Sequence, residues 1–247
     1  MSELTRDAFF NGRISILQEK NGYRFSIDAV LLAGMVKPRP GDTIVDLGTG
    51  CGVIPLLIAC RASASAGAAT NNLKIHGIEI QASFAEIATR NAAENGLENI
   101  IEITQKDLKD IKQSDLGGPV DTVVSNPPYW KAGTGRVSSD TQKSIARHDF
   151  NASLADVIAA ARRLLKTGGR LHIIYPADRL VDVITQMRQN QIEPKTLCHV
   201  HSRQGEDAKL FIIQGTMTAK PGLIVKPPLT IYNGTEYTTQ AESFFEI

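Results

Sequence analysis

Short apolar runs alternate along the chain with longer stretches of helical period, and this alternation restricts the fold more than any other feature. Thr43-Ile44-Val45-Asp46-Leu47 has no polar face, as expected of a strand covered on both sides. Gly48-Thr49-Gly50-Cys51-Gly52 follows, and a helix opens at Val53 with Pro55 in its tolerant first turn. The strand signature returns at Ile75–Ile80, Ile100–Thr104, Val120–Ser125 and Arg170–Tyr175. Phe84–Asn95, Ser153–Leu165 and Leu180–Gln189 read as the helices between, the first stopping at Asn95-Gly96 and the second before Gly168-Gly169. Repeated strand–helix–strand units predict a doubly wound α/β domain with helices on both faces of a mostly parallel sheet. Leu197–His201 and Leu210–Gly215 predict a closing pair, and Leu229–Tyr232 one more strand in the tail.

Ahead of this core, Ala8–Gln18 reads as short strands turning at Asn11-Gly12, and Ser26 as the N-cap of a helix through Ala33. Pro38-Arg39-Pro40-Gly41-Asp42 ends that helix. The expected layout is an N-terminal cap segment over 1–42 packing on the core, a core over 43–217, and a C-terminal extension of the same domain over 218–247. Arg61–Asn72, rich in Ala, Ser, Gly and Asn, reads as a long exposed loop.

The formal net charge of +1 gives no global attraction to a polyanion, so a nucleic-acid partner needs a local basic patch. Cys51, Cys60 and Cys198 make neither a C-x-x-C pair nor a metal spacing. Such a scattered set suits a reducing cytoplasm, and no metal is expected. No apolar run approaches the roughly 18 residues of a bilayer span, and no signal segment is recognisable at the start. No membrane partner is expected; a monomer is favoured.

Glycines let a backbone approach a ligand closely, and the following helix N-terminus favours a negative or polar group. The turn Gly48–Gly52 alone leaves dinucleotides, other nucleosides or a simple corner open. Position narrows the choice. Glu79 ends the second core strand, where a carboxylate can accept both ribose hydroxyls. Asp107 closes the third, placed to accept from an exocyclic amino group. With Asp46, three successive strand ends carry an acid, which favours a nucleoside site.

The fourth strand ends in Val124-Ser125-Asn126-Pro127-Pro128-Tyr129. Neither proline can continue a ladder, and the residue before a proline is held extended, so Asn126 is presented rigidly. The Asn126 amide oxygen and the Pro127 carbonyl are two acceptors for one planar NH2 group, and Tyr129 is a face on which a flat base stacks. Held that way, the nitrogen lone pair points at an incoming electrophile. The methyl of S-adenosylmethionine suits it, since a sulfonium needs no strong general base and catalysis becomes positioning. The alternative is a proline-stiffened loop with a buried tyrosine.

Asp46–Gly52 together with Asn126–Tyr129 resembles the class I S-adenosylmethionine-dependent methyltransferases acting on planar amino or amide nitrogens. Gly22–Asp28, Ala146-Arg147-His148, Ile192–Lys195 and Lys226–Leu229 carry a closer resemblance to bacterial tRNA(Val) adenine-N6 methyltransferases. The resemblance implies a Rossmann-like sheet of seven strands with the last antiparallel. It implies a methyl transfer by direct in-line displacement to N6 of the adenosine 3′ of the anticodon. The catalytic residues are then Asn126, Pro127 and Tyr129. Asp46, Gly48 and Gly50 surround the cofactor's methionine part, and Tyr23, Arg24 and Asp28 cover that end. Glu79 holds the ribose, Asp107 meets the adenine, and Asn126 also binds the cofactor.

Related enzymes with the same tetrapeptide methylate DNA adenine, guanine N2 of ribosomal RNA or a release-factor glutamine. The chain has little room for a DNA target-recognition region, and an unpaired RNA base is already available to stack and be read. Lys131, Arg136, Lys143, Arg147 and His148 follow the catalytic loop and are candidates for tRNA phosphates; a solvated loop balanced by Asp140 and Asp149 is the other reading. Glutamine-N5 or guanine-N2 transfer, and a non-catalytic RNA-binding module on the same scaffold, stay open.

Overall fold

The computed structural model describes residues 3–20, 26–65, 72–127 and 152–246 of the chain. An N-terminal hairpin pairs β1 (Leu4–Phe9) with β2 (Ile14–Glu19), turning where Gly12 N–H donates to Phe9 O at 3.1 Å. Helix α1 (Ile27–Met35) leads into the central strand β3 (Thr43–Leu47). Then follow α2 (Val53–Ser65), β4 (Lys74–Glu79), α3 (Ala82–Glu94), β5 (Ile101–Gln105) and β6 (Val120–Ser125). Beyond 152 come α4 (Leu154–Leu164), β7 (Leu165–Pro176), α5 (Leu180–Gln189), β8 (Ile192–Arg203) and β9 (Ala208–Met217). The tail adds β10 (Ile224–Val225), β11 (Leu229–Asn233), β12 (Glu236–Tyr237) and a single turn, α6 (Thr239–Glu242).

The main sheet has ten strands rather than the expected seven, in the order β12-β11-β8-β9-β7-β6-β3-β4-β5, with β10 also beside β8. Seven of them, β3 to β9, are the expected set, and β9 runs antiparallel to both β7 and β8. The other three come from the C-terminal extension, because β8 would otherwise leave an open edge. The chain lays β3, β4 and β5 outward on one side, then returns to place β6 on the other side of β3. The carboxyl ends of β3 and β6 therefore diverge at a topological switch point, where open α/β sheets bind ligands.

Two apolar layers fill the faces. Ala29–Ala33 of α1, Val53–Ala59 of α2 and Ile87 of α3 pack on Ile44, Ile75, Val124 and Ile174. Val157–Leu164 of α4 and Val183 and Met187 of α5 pack on Val45, Leu47, Val123 and Ile173. Alternate residues of β3 and β6 thus enter opposite layers, which explains why neither strand shows a polar face.

One local expectation needed correction. The Arg61–Asn72 loop is shorter, because α2 runs on through Ser65. Ala and Ser are adequate helix formers, and Arg61 lies over the Phe10 ring at 5.1 Å and donates to Phe244 O. Ser26 stands at the N-cap of α1, but its side chain caps nothing, and its buried oxygen has no partner among the described residues. No helix among the described residues is long and apolar enough to cross a membrane.

Candidate active site

The glycine turn after β3 is shaped by bonds to the next strand. Gly48 N–H and Thr49 N–H both donate to Ile78 O, at 2.9 and 3.0 Å, and Gly52 N–H closes on Thr49 O at 3.0 Å. Gly48 and Gly52 hold φ of 77° and 81°, which a side chain would strain. Around Gly50 a Cβ would meet nothing within 4 Å, so the outer face of the turn stands open among the described residues.

Glu79 ends β4 beneath this turn, 1% exposed. One carboxylate oxygen accepts from Gly50 N–H at 2.9 Å and the other from Gln81 N–H at 2.9 Å. Burial raises its pKa, and these backbone donors offset part of the rise.

Asp46 differs. It is fully buried, and neither carboxylate oxygen has a hydrogen-bond partner among the described residues. Burial drives its pKa up to about 7; the nearby Thr49 hydroxyl offsets part of this without reaching good hydrogen-bond geometry, and the Glu79 charge adds to it. Cys51 in the turn is buried, with its thiol pushed up to about 11, so it is a packing residue and not a nucleophile.

A cleft beside the turn is lined by Gly48, Ile78, Glu79, Ile80, Lys106, Asp107, Leu108 and Ala152. It brings Gly48, Glu79 and Asp107 together. Asp107 accepts from Lys109 N–H at 2.9 Å and pairs with the Lys109 ammonium at 3.4 Å. Arg163 of α4 fixes this loop from behind, donating to Ile111 O and Leu108 O at 2.7 and 2.8 Å.

At the switch point, Ser125 Oγ donates to Leu47 O at 2.8 Å, and Ser125 is fully buried. That bond ties the last residue of β6 to the last of β3. Asn126, half-buried, and the buried Pro127 follow immediately in the chain. Asp28 sits half-buried in the first turn of α1. The far end of that helix is held at the amino edge of the sheet, where Arg170 Nη1 donates to Lys37 O at 3.3 Å. Tyr23, Arg24, Tyr129, Lys131, Arg136, Lys143, Arg147 and His148 lie outside the described residues. No cluster of His, Cys, Asp or Glu suited to a metal ion occurs among the described residues.

Known proteins resemble this chain over most of its length. Residues 38–216 match the family described as Methyltransferase domain, well over half the chain. The chain belongs to this family. A tRNA1(Val) (adenine(37)-N6)-methyltransferase from Porphyromonas gingivalis is 29% identical over 252 residues, covering 97% of this chain and 95% of that protein. A predicted O-methyltransferase from Agrobacterium tumefaciens has the same fold, with a TM-score of 0.68, 22% identity, and coverage of 88% and 94%. A geranyl diphosphate methyltransferase solved in complex with S-adenosylmethionine superposes at a TM-score of 0.51 with 18% identity, over 77% and 84% of the two chains.

Within this methyltransferase domain, three residues shape the site without any local sequence signal. Ser125 and Arg163 act through carbonyls 78 and 52–55 residues away. Asn91 of α3 is wholly buried and reaches the glycine turn itself.

Proposed function

We propose that the protein transfers a methyl group from S-adenosylmethionine to N6 of an adenine in tRNA, the adenosine 3′ of the anticodon in valine tRNA, by direct in-line displacement. The observation that carries the reading is the Ser125–Leu47 bond, which ties the residue before Asn126 to the residue before the glycine turn and so supports an amide acting beside that turn. The name of the Porphyromonas relative, matched over nearly the full length of both chains, supports tRNA adenine as the substrate.

The residues present fit the cofactor. Asp46 offers two buried acceptor oxygens with no donor among the described residues, which suits an ammonium group. Glu79 offers its remaining lone pairs to ribose hydroxyls, and Asp107, at the cleft rim, suits the adenine amino group. Gly48 and Gly50 let the backbone lie against the ligand, and Tyr23, Arg24 and Asp28 close over it. Bound there, S-adenosylmethionine supplies a methyl already activated by its sulfonium, so neither a metal nor a strong base is required.

The chain's own work is then to bind and aim. The Asn126 amide oxygen and the Pro127 carbonyl accept from the two N–H bonds of the adenine amino group and fix its lone pair. Tyr129 stacks on the base, a contact worth about 1–3 kcal/mol. Lys131, Arg136, Lys143, Arg147 and His148 contact the tRNA backbone. The enzyme works as a cytoplasmic monomer, with 1–42 capping a core of 43–217 and 218–247 extending it.

The test is transfer of labelled methyl to tRNA lacking the modification, followed by nucleoside mass spectrometry. N6-methyladenosine is expected with the wild-type protein, and Asn126→Ala loses at least about 100-fold in rate while still binding cofactor. Label in N2-methylguanosine or in a release factor, or Asn126→Ala at full rate, refutes the reading.

A further inference from the structure

Asn91 is the best-connected polar side chain of the described core, and nothing in the transfer chemistry uses it directly. It is completely buried in α3. Its oxygen accepts from Leu17 N–H at 2.7 Å, and its nitrogen donates to Leu17 O at 2.9 Å and to Cys51 O at 2.8 Å. An asparagine amide has two donors and an oxygen acceptor, and each of these groups is engaged. Three segments remote in sequence meet at this one group: the hairpin, the glycine turn and the helix that follows Glu79.

The geometry explains why the residue is asparagine. Ser15 and Leu17 sit in β2, the hairpin strand that faces α3, and turn their backbone groups away from β1. Asn95 serves Ser15 as Asn91 serves Leu17, accepting from its N–H at 2.9 Å and donating to its O at 2.8 Å. Residues four apart on a helix are displaced by about 6 Å, close to the ~6.7 Å spanned by two strand residues. Two stacked side-chain amides thus stand in for a neighbouring strand, which an aspartate or a leucine cannot do. Asn91 adds the bond that Asn95 lacks, to the carbonyl of Cys51 inside the glycine turn.

A second contact presses the turn onto the same helix. A Cβ at Gly52 would lie 3.1 Å from the Ala88 Cβ, one helical turn before Asn91. The turn is thus held by Ile78 and Glu79 from β4 and by Asn91 from α3. Strand β2 also leads, within seven residues, to Ser26 and the first turn of α1.

We infer that Asn91 is a positioning residue for cofactor binding: it sets the shape of the glycine turn and couples it to the N-terminal hairpin that precedes α1. The inference rests on the reading of the turn as the S-adenosylmethionine site. Its consequence is a specific division of labour. Asn91 governs cofactor affinity, whereas Asn95, which holds the hairpin but never touches the turn, governs stability alone.

Calorimetric titration of the full chain with S-adenosylmethionine tests this, together with steady-state methyl transfer. For Asn91→Leu the dissociation constant and the cofactor KM are expected to rise about tenfold or more, with kcat at saturating cofactor within about twofold of wild type. Asn95→Leu removes as many hairpin bonds and lowers the melting temperature, yet should keep cofactor affinity within about twofold. Should Asn91→Leu not fold, Asn91→Ser is read in its place by the same criteria. Unchanged affinity in the Asn91 variant, or an equal loss in both variants, overturns the inference while the proposed function stands. Wild-type protein that binds no S-adenosylmethionine overturns both.

Discussion

Replacing Asp46 with asparagine should change the stability of the cofactor-free protein by an amount that rises with pH and becomes a net gain above about pH 7. The folded-state pKa of about 7 lies above the ordinary value of 3.8. Below 3.8 the group is protonated in folded and unfolded chains alike and costs nothing. Between the two values the unfolded chain gives up its proton while the folded chain keeps it, so stability falls as pH rises. Above about 7 the penalty is complete: a span of about three pH units at ~1.4 kcal/mol each amounts to ~4 kcal/mol. The Asp46→Asn variant would escape that ionisation but would bury amide donors of its own, costing about 1–3 kcal/mol.

The amide's cost is independent of pH, so the comparison between two pH values isolates the carboxylate. At pH 5 the Asp46 penalty is only about 1–2 kcal/mol, leaving a difference of roughly 3 kcal/mol between pH 5 and pH 8. At about 2–4 °C per kcal/mol for a chain of this size, the melting temperatures of Asp46→Asn and wild type should diverge by about 6–12 °C across that interval. Thermal unfolding by circular dichroism at pH 5, 6, 7 and 8, without cofactor, measures it. Melting curves whose separation is the same at every pH would show that Asp46 is either solvated or hydrogen-bonded in solution. The reasoning from its burial would then fail.

The buried His172, pushed down to about 3 by burial with help from the Arg170 charge, acts in the other direction. Its neutral form is at home in the fold above pH 6.5, and stability is lost as pH falls from there toward 3. His172→Gln should therefore hold about 2–3 kcal/mol more than wild type at pH 4.5 relative to pH 7, read from urea midpoints. Ser125→Ala removes the bond to Leu47 O and should lower kcat about tenfold with little change in cofactor affinity; an unchanged kcat means that β6 needs no such tie. In Gly34→Ala the new Cβ would fall 2.3 Å from the Phe244 ring, so the variant should lose about 1–3 kcal/mol. Phe244→Ala in the same chain should recover most of that loss, and strict additivity of the two changes would contradict the packing.

The core strands were legible because each is a short apolar run between turn residues, and Val120–Ser125 and Leu180–Gln189 fall where the pattern put them. The strands β10 and β12 were not, since two residues carry no period. The end of α2 was misjudged for a different reason. Its Ala- and Ser-rich composition suits a loop as well as a helix, and Arg61 is secured by Phe244 O, 183 residues away. The same asymmetry runs through the site. Strand-end acids and the Asn126–Tyr129 motif are contiguous signals, whereas Ser125, Asn91 and Arg163 act on carbonyls that only the folded chain brings near.

The three strand-end acids differ in how far the protein itself satisfies them, and that ordering says where a ligand gains most. Asp107 already has Lys109, and both Glu79 oxygens have backbone donors. Asp46 has neither, though it is the most deeply buried of the three. A buried carboxylate left without donors is costly, and a cationic donor brought to it relieves the cost while drawing its proton off. Cofactor binding near pH 6 should then release protons, and the heat measured in buffers of different ionisation enthalpy should differ accordingly. The stabilisation by cofactor should also be larger at pH 8 than at pH 6, because the penalty being relieved is larger there. A loop grown around a fully satisfied carboxylate would show neither effect. If both effects are seen, the unpaired Asp46 is the part of the architecture that the fold tolerates for the sake of what binds.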